Sequence, residues 1–359
     1  MSISFPMIPG VDINLFLLVL LSFSVGIISG FAGVGGGFLM TPALIILGFP
    51  AQLAVGTSLM WVMANSVVGA LRHRQHGNVD MKLGSIIAAI SMGGVEIGTR
   101  LLRLALSLGI AEETVLAVSI LVLLSVGGYT LRESLQSVKR VNEAQKRKVS
   151  INTTVQPAMP FTRLREIRLK PLIHFSKSGI TISIWVILGI GLFTGMLSGL
   201  LGVGGGFIMV PSLIYLVGLP SFLAVGTDLF QISFSSAYGA IRNTMGGNVI
   251  IFAAFIMILS SVIGVQCGVL GTRFLKGVCV KLILSFTIII AILGSVLKLI
   301  NTVTENPASW LEPAEMAVTF GGLVLVLLII LVLFILGIRN NRGKSVPGWF
   351  QALGGKSAE

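Results

Sequence analysis

Two glycine clusters are the residues of this chain best suited to chemistry. The first reads Gly33-Val34-Gly35-Gly36-Gly37-Phe38, then Leu39-Met40-Thr41-Pro42. The second reads Gly202-Val203-Gly204-Gly205-Gly206-Phe207, then Ile208-Met209-Val210-Pro211. Glycine lets a ligand approach backbone N–H groups with no side chain in the way. Each cluster precedes a short apolar segment, so its N–H groups would crown a helix N-terminus carrying about half a positive charge. Two such ends converging would make a compact site for a small oxyanion. Polar side chains follow in each half: Thr57 and Ser58 in the first, Thr227 and Gln231 in the second. The expected substrate-binding set is therefore Gly33, Gly35, Gly36, Gly37, Thr57, Ser58, Gly202, Gly204, Gly205, Gly206, Thr227 and Gln231.

Asp228 and Glu96 stand inside apolar segments. An ionisable residue there is costly and functional by default, so both are candidates for carrying a coupling proton. Arg72, Arg100, Arg242 and Arg273 each close an apolar segment and could hold an anion at a cavity mouth. Plain membrane structure competes with each reading. Small residues permit close helix packing, Ser and Thr knit helices together, and Arg snorkels to the interface. A phosphate-binding loop is excluded, because no Gly-Lys-Ser/Thr follows either cluster. Cys267 and Cys279 lie in apolar sequence without metal-ligand spacing, and no nucleophile is paired with a His. No metal, cofactor or catalysed reaction is expected.

These residues must be positioned by membrane helices. The chain has 359 residues, 54% hydrophobic and 11% charged, with a mean hydropathy of +0.98. A soluble domain carries roughly a quarter charged residues. Apolar runs of about 20 residues, the length that spans a bilayer, recur along the chain. The fold class is an all-α polytopic membrane protein.

The chain is also duplicated. Leu53-Ala54-Val55-Gly56-Thr57 returns 170 residues later as Leu223-Ala224-Val225-Gly226-Thr227, and Gly77-Asn78-Val79 as Gly247-Asn248-Val249. Gly69-Ala70-Leu71-Arg72 matches Gly239-Ala240-Ile241-Arg242, and Glu96 faces Gln266. Each half holds five apolar segments, and one unpaired segment follows near 315–338. The second segment of each half, 37–49 and 206–219, has the length of a half-helix, roughly 20 Å against a core of about 30 Å. Broken backbone at that depth must be surrounded by protein or a polar cavity.

Charge sets the orientation. The net charge is +12, and eleven of the 25 Lys and Arg lie between Arg132 and Lys177. That block reads as a cytoplasmic loop rather than a nucleic-acid surface. The stretch 301–314 holds Glu305 and Glu312 and no Lys or Arg, so it is expected outside. The second half then begins inside and ends outside, which inverts it relative to the first. The expected units are a first repeat at 1–131, a basic cytoplasmic linker at 132–178, a second repeat at 179–300, and an extra transmembrane helix with a basic tail at 301–359. Inverted repeats with discontinuous helices point to a secondary transporter. An uncoupled anion channel and a membrane-embedded enzyme or assembly partner are the other classes.

The motifs resemble a known family. Gly30-Phe31-Ala32-Gly33-Val34-Gly35-Gly36-Gly37-Phe38 with Pro42, and Ala54-Val55-Gly56-Thr57-Ser58, are similar to those of the sulfite exporter TauE/SafE membrane permeases. Gly199-Leu200-Leu201-Gly202-Val203-Gly204-Gly205-Gly206-Phe207 with Pro211, and Ala224-Val225-Gly226-Thr227-Asp228, repeat the pattern. The resemblance implies movement of sulfite, sulfoacetate or a related organosulfonate, and the function expected is proton-coupled export through the cytoplasmic (inner) membrane. The implied partners are a small anion and the lipid bilayer, with no nucleic acid. A homo-oligomer and another small anion stay open. The departures are the long basic linker, the extra segment, and Asp228 in place of Ser58.

Overall fold

The protein is described here from a computed structural model over residues 2–4, 12–32, 36–147, 170–272, 277–304, 308–341 and 347. A short hairpin, β1 (Ser2–Ser4) and β2 (Asp12–Asn14), leads into the first half. That half consists of α1 (Leu15–Ala32), α2 (Gly37–Ile46), α3 (Ala51–Gln75), α4 (Met81–Ser107) and α5 (Ala111–Arg147). A second hairpin, β3 (Leu172–Phe175) and β4 (Ile180–Ser183), opens the second half. There follow α6 (Ile184–Leu201), α7 (Gly206–Ser212) running on as a π turn to Val217, α8 (Ser221–Met245), α9 (Ile251–Thr272) and α10 (Gly277–Val303). The last rod is α11 (Leu311–Met316), a π turn and α12 (Gly322–Asn341).

The element ends follow local chemistry. Pro50 and Pro220 precede α3 and α8, where a missing N–H and a preset φ favour a helix start. Asp80 caps α4 by accepting from the Leu83 N–H at 3.1 Å. The short helices end at Gly48 and Gly218, whose positive φ angles of 92° and 87° let the chain turn back at once.

Among the described residues, seven helices are long and apolar enough to cross a membrane, and three shorter apolar helices accompany them. The protein is thus an all-α, multi-pass membrane protein. Helix α8 has the length of a span, 25 residues, yet is not one of the seven. Thr227, Asp228, Gln231, Ser233, Ser235 and Ser236 lower its hydropathy, and all six are buried in the protein rather than presented to lipid.

The two halves interlock rather than sit side by side. Helix α1 packs on α9, α4 on α6, and α3 on α8. The first two seams are lined by glycines four apart. Gly26 and Gly30 meet Gly268 and the Ser261 and Val265 backbone, while Gly94 and Gly98 meet Gly195 and Gly199. A Cβ at Gly195 would overlap the Ser91 carbonyl oxygen, so the backbones themselves are in contact. In lipid, where apolar surface has no preference for protein over acyl chains, this closeness is what holds helices together. The α3·α8 pair has a different geometry. Gly69 faces Leu229, Gly239 faces Leu59, Gly56 faces Asn248, and Gly226 faces Asn78. Positions rise along one helix as they fall along the other, so these two sequence-equivalent helices run antiparallel.

The stretch 132–178 differs from a plain linker. Helix α5 continues past residue 131 to Arg147, through Glu, Leu, Gln, Lys and Ala, all strong helix formers. The hairpin β3–β4 packs on the start of α4: Ser178 donates to Asp80 Oδ2 at 2.6 Å and Lys82 donates to the His174 carbonyl at 3.1 Å. Nothing in the charge pattern of the stretch announces a hairpin, whose inward side rests on Phe175, Ile180 and Ile182.

Candidate functional site at the meeting of the glycine turns

Residues 33–35 lie outside the described residues, so Gly33 and Gly35 have no structural account, and neither has Arg273. The other glycines are placed, and the two clusters meet. A Cβ at Gly37 would fall 2.7 Å from Val62 and against the Val203 carbonyl, in the heart of the second cluster. Gly202 abuts Thr41 and the Val55 backbone. The Phe38 and Phe207 rings, each one residue into its short helix, lie 5.6 Å apart. Gly36 and Gly205 are the N-caps of α2 and α7, with φ of 69° and 83°. No side chain caps either helix. Each short helix therefore begins without a side-chain acceptor for its first N–H groups.

Polar atoms without partners gather on the helices around these turns. A Cβ at Gly36 would touch the Trp61 ring, and Trp61 Nε1 is buried without a hydrogen bond. A Cβ at Gly204 would lie 3.3 Å from Ser236 Oγ, also buried and unbonded. Ser198 Oγ, one turn before Gly202 on α6, is unbonded as well. Native proteins leave few such groups unsatisfied. Trp61, Ser198 and Ser236 escaped the sequence reading because Trp and Ser are ordinary interior residues of membrane helices. The available signal was register: at the 170-residue offset, Trp61 matches Gln231 and Ser66 matches Ser236.

Asp228 is fully buried. Its Oδ1 accepts from Gln231 Nε2 at 3.0 Å, while Oδ2 and Gln231 Oε1 have no partner. The repeat explains this. In the first half Thr41 donates to Ser58 at 2.9 Å, tying α2 to α3. In the second half Val210 stands at the Thr41 position and Asp228 at the Ser58 position, so an apolar side chain replaces the hydroxyl. Ser58 is thereby tied to the preceding short helix, whereas Asp228 is bonded only to Gln231 of its own helix.

Thr57 and Thr227 are engaged too, but with the opposite half. Thr57 Oγ1 accepts from the Ile250 N–H at 3.1 Å, and Thr227 Oγ1 from the Asp80 N–H at 3.0 Å. Each hydroxyl accepts at the start of the other half's fourth helix, a reciprocal pair of clamps that uses the oxygen as acceptor and leaves the O–H proton to donate.

The expected mouth residues sort themselves in the same reciprocal way. Arg72 donates to Gln266, and Arg242 Nε donates to Glu96 at 3.1 Å. Glu96 also binds Arg100 Nε at 2.9 Å and the Tyr238 hydroxyl at 3.1 Å, with Arg103 at 3.8 Å. Its charge is matched by arginines, unlike that of Asp228. A small crevice of about 20 Å³ lies further along α2, lined by Leu39, Ile46, Ile290 and Leu323 with Thr287 and Thr319; Thr319 Oγ1 is also buried and unbonded there. Among the described residues no cluster of three or more His, Cys, Asp or Glu could hold a metal ion.

The known proteins that this all-α multi-pass membrane protein resembles are membrane transporters. The family model described as "Sulfite exporter TauE/SafE" matches residues 18–297, and the chain belongs to that family. The "Probable membrane transporter protein YjnA" of Bacillus subtilis (strain 168) is 27% identical over 251 residues, 70% of this chain and 87% of that one. A second from the same organism, YunE, is 25% identical over 282 residues, 76% and 94% of the two chains. A probable membrane transporter of Methanocaldococcus jannaschii is 26% identical over 268 residues, 70% and 84%. No solved structure matches.

Proposed function

We propose that the protein is a secondary carrier that exports a small sulfur-containing anion, sulfite, sulfoacetate or a related organosulfonate, across the cytoplasmic membrane, with proton coupling. The two halves act as inverted repeats. The antiparallel crossing of the equivalent helices α3 and α8 supports this, since a two-fold axis in the membrane plane turns a helix against its own copy. The basic segment around 132–178 lies inside, and the acidic 301–314 connection outside.

The anion sits between the two glycine turns, whose short helices α2 and α7 serve as half-helices. The observation that carries this reading is the gathering of unbonded donors there. The Trp61 ring borders Gly36, Ser236 Oγ borders Gly204 and Ser198 precedes Gly202 by one turn, and the polar atom of each side chain is buried without a partner. Donors without a side-chain positive charge suit an anion that must be bound and then released. The family's description as sulfite exporters supports the substrate class and the direction. Asp228, with Oδ2 unbonded, carries the coupling proton: taking one up relieves a charge that the dry interior disfavours.

Equilibrium binding of radiolabelled sulfite to purified protein tests the site. Wild type should saturate. Ser236→Ala should bind roughly ten-fold more weakly, the usual effect of losing one hydrogen bond to a charged group. Gly205→Val, which forces a β-branched residue to a φ of 83°, should abolish binding while the protein still inserts. Normal binding by Gly205→Val would move the anion elsewhere.

A further inference from the structure

The two halves are not equivalent at one matched position, and the difference is a charge. At the 170-residue offset Arg72 corresponds to Arg242, and Gln266 to Glu96. Arg72 joins α3 to α9 through the neutral Gln266 amide. Arg242 joins α8 to α4 through the Glu96 carboxylate, using Nε at 3.1 Å and Nη2 at 3.5 Å. Tyr238 on α8 donates to the same carboxylate, and Arg100 and Arg103 on α4 flank it. The position matching Tyr238 is Val68, which has no hydroxyl to donate.

The geometry points to Glu96 as a positioning residue that decides which face of the carrier rests closed. This rests on the carrier reading above. In an inverted repeat, exchanging the two halves interconverts the two states of the cycle. Identical ties at both ends would contribute equally to the two closed states. At one end the carboxylate of an ion pair receives two arginine bonds and a tyrosine hydroxyl across the halves; at the other a single arginine bond reaches an uncharged amide, and this removes the equality. The parallel contacts α4·α8 and α3·α9 place the two ties at opposite ends of the molecule. Glu96 meets Arg242 near the end of α8, and Gln266 meets Arg72 near the end of the antiparallel α3. The resting carrier is therefore latched at the Glu96 end and opens more readily at the Gln266 end. Side-chain exposures of 18% for Glu96 and 33% for Arg242 leave the pair partly screened, which keeps the latch releasable.

Spin-label distances in the full-length protein, in lipid, test the assignment without relying on transport. One pair, Ser107→Cys with Met245→Cys in a Cys267→Ser and Cys279→Ser background, reports on the Glu96 end. The other, Gln75→Cys with the native, exposed Cys267 in a Cys279→Ser background, reports on the Gln266 end. In wild type the Ser107–Met245 distance should fall mainly in its short population. Glu96→Gln gives both ends an arginine-to-amide tie and should shift the ratio of short to long by roughly five- to ten-fold toward long. Gln266→Glu should lengthen the residence of the Gln75–Cys267 pair in its short population. Exchanging both residues should reverse the bias. Two populations at each end that none of these variants moves would overturn the latch and leave the carrier intact. One fixed distance at each end, with and without sulfite, would overturn the two-sided carrier and the latch with it.

Discussion

At the scale of single residues, the site divides into polar groups already engaged and polar groups left waiting. Thr57, Thr227, Ser58 and Glu96 all have partners; Trp61 Nε1, Ser198 Oγ, Ser236 Oγ and Asp228 Oδ2 do not. A sequence shows residue types but not what each hydroxyl is bonded to. Thr57 and Ser236 therefore read alike until the fold shows that Thr57 accepts from the Ile250 N–H and Ser236 has no partner. Asp228 was legible because a carboxylate inside an apolar segment needs a reason to be there. The same argument selected Glu96, yet three-dimensional neighbours gave Glu96 its arginines and gave Asp228 only Gln231. If Asp228 carries the proton, Asp228→Asn should bind sulfite within a few-fold of wild type but lose the response of transport to a pH gradient. Coupling that survives in Asp228→Asn would return the residue to a structural role.

At the scale of elements, the helix count, the two short helices and their glycine starts follow from the sequence. Length, apolar runs and the duplication determine them. The seams do not announce themselves as readily. The glycines at 26, 30, 94, 98, 195, 199, 264 and 268 sit at four-residue spacing, but which helix each seam takes as partner crosses between the halves. The last rod was expected only as an added span. It is fastened by Lys298 of α10, which meets the buried Glu315 of α11 at 3.4 Å and Glu112 of α5 at 3.8 Å. Truncating Lys298 leaves Glu315 buried without its cation. Lys298→Ala should therefore destabilise the folded protein by about 3–5 kcal/mol, a loss that thermal unfolding in detergent would register. A melting temperature equal to that of wild type would mean that the rod is held by its apolar packing alone.

At the scale of the whole molecule, the reciprocal contacts are what make one machine of two halves. The first half's α1 and α4 pack on the second half's α9 and α6, and each half's threonine caps a helix of the other. Neither half keeps its glycine turn to itself: Gly37 leans on Val203, and Gly202 on Val55. On the proposed function, a substrate between the turns would be held by both halves at once, and a relative movement of the halves would expose it to one face or the other. The most direct measurement is uptake of labelled sulfite, sulfate, thiosulfate, sulfoacetate and taurine into proteoliposomes, with and without an imposed pH gradient. Saturable movement of one sulfur anion, accelerated by the gradient and showing counterflow, is the predicted result. Movement that does not saturate and shows no counterflow would make the protein a channel, and no movement of any of these anions by well-folded protein would contradict the substrate assignment.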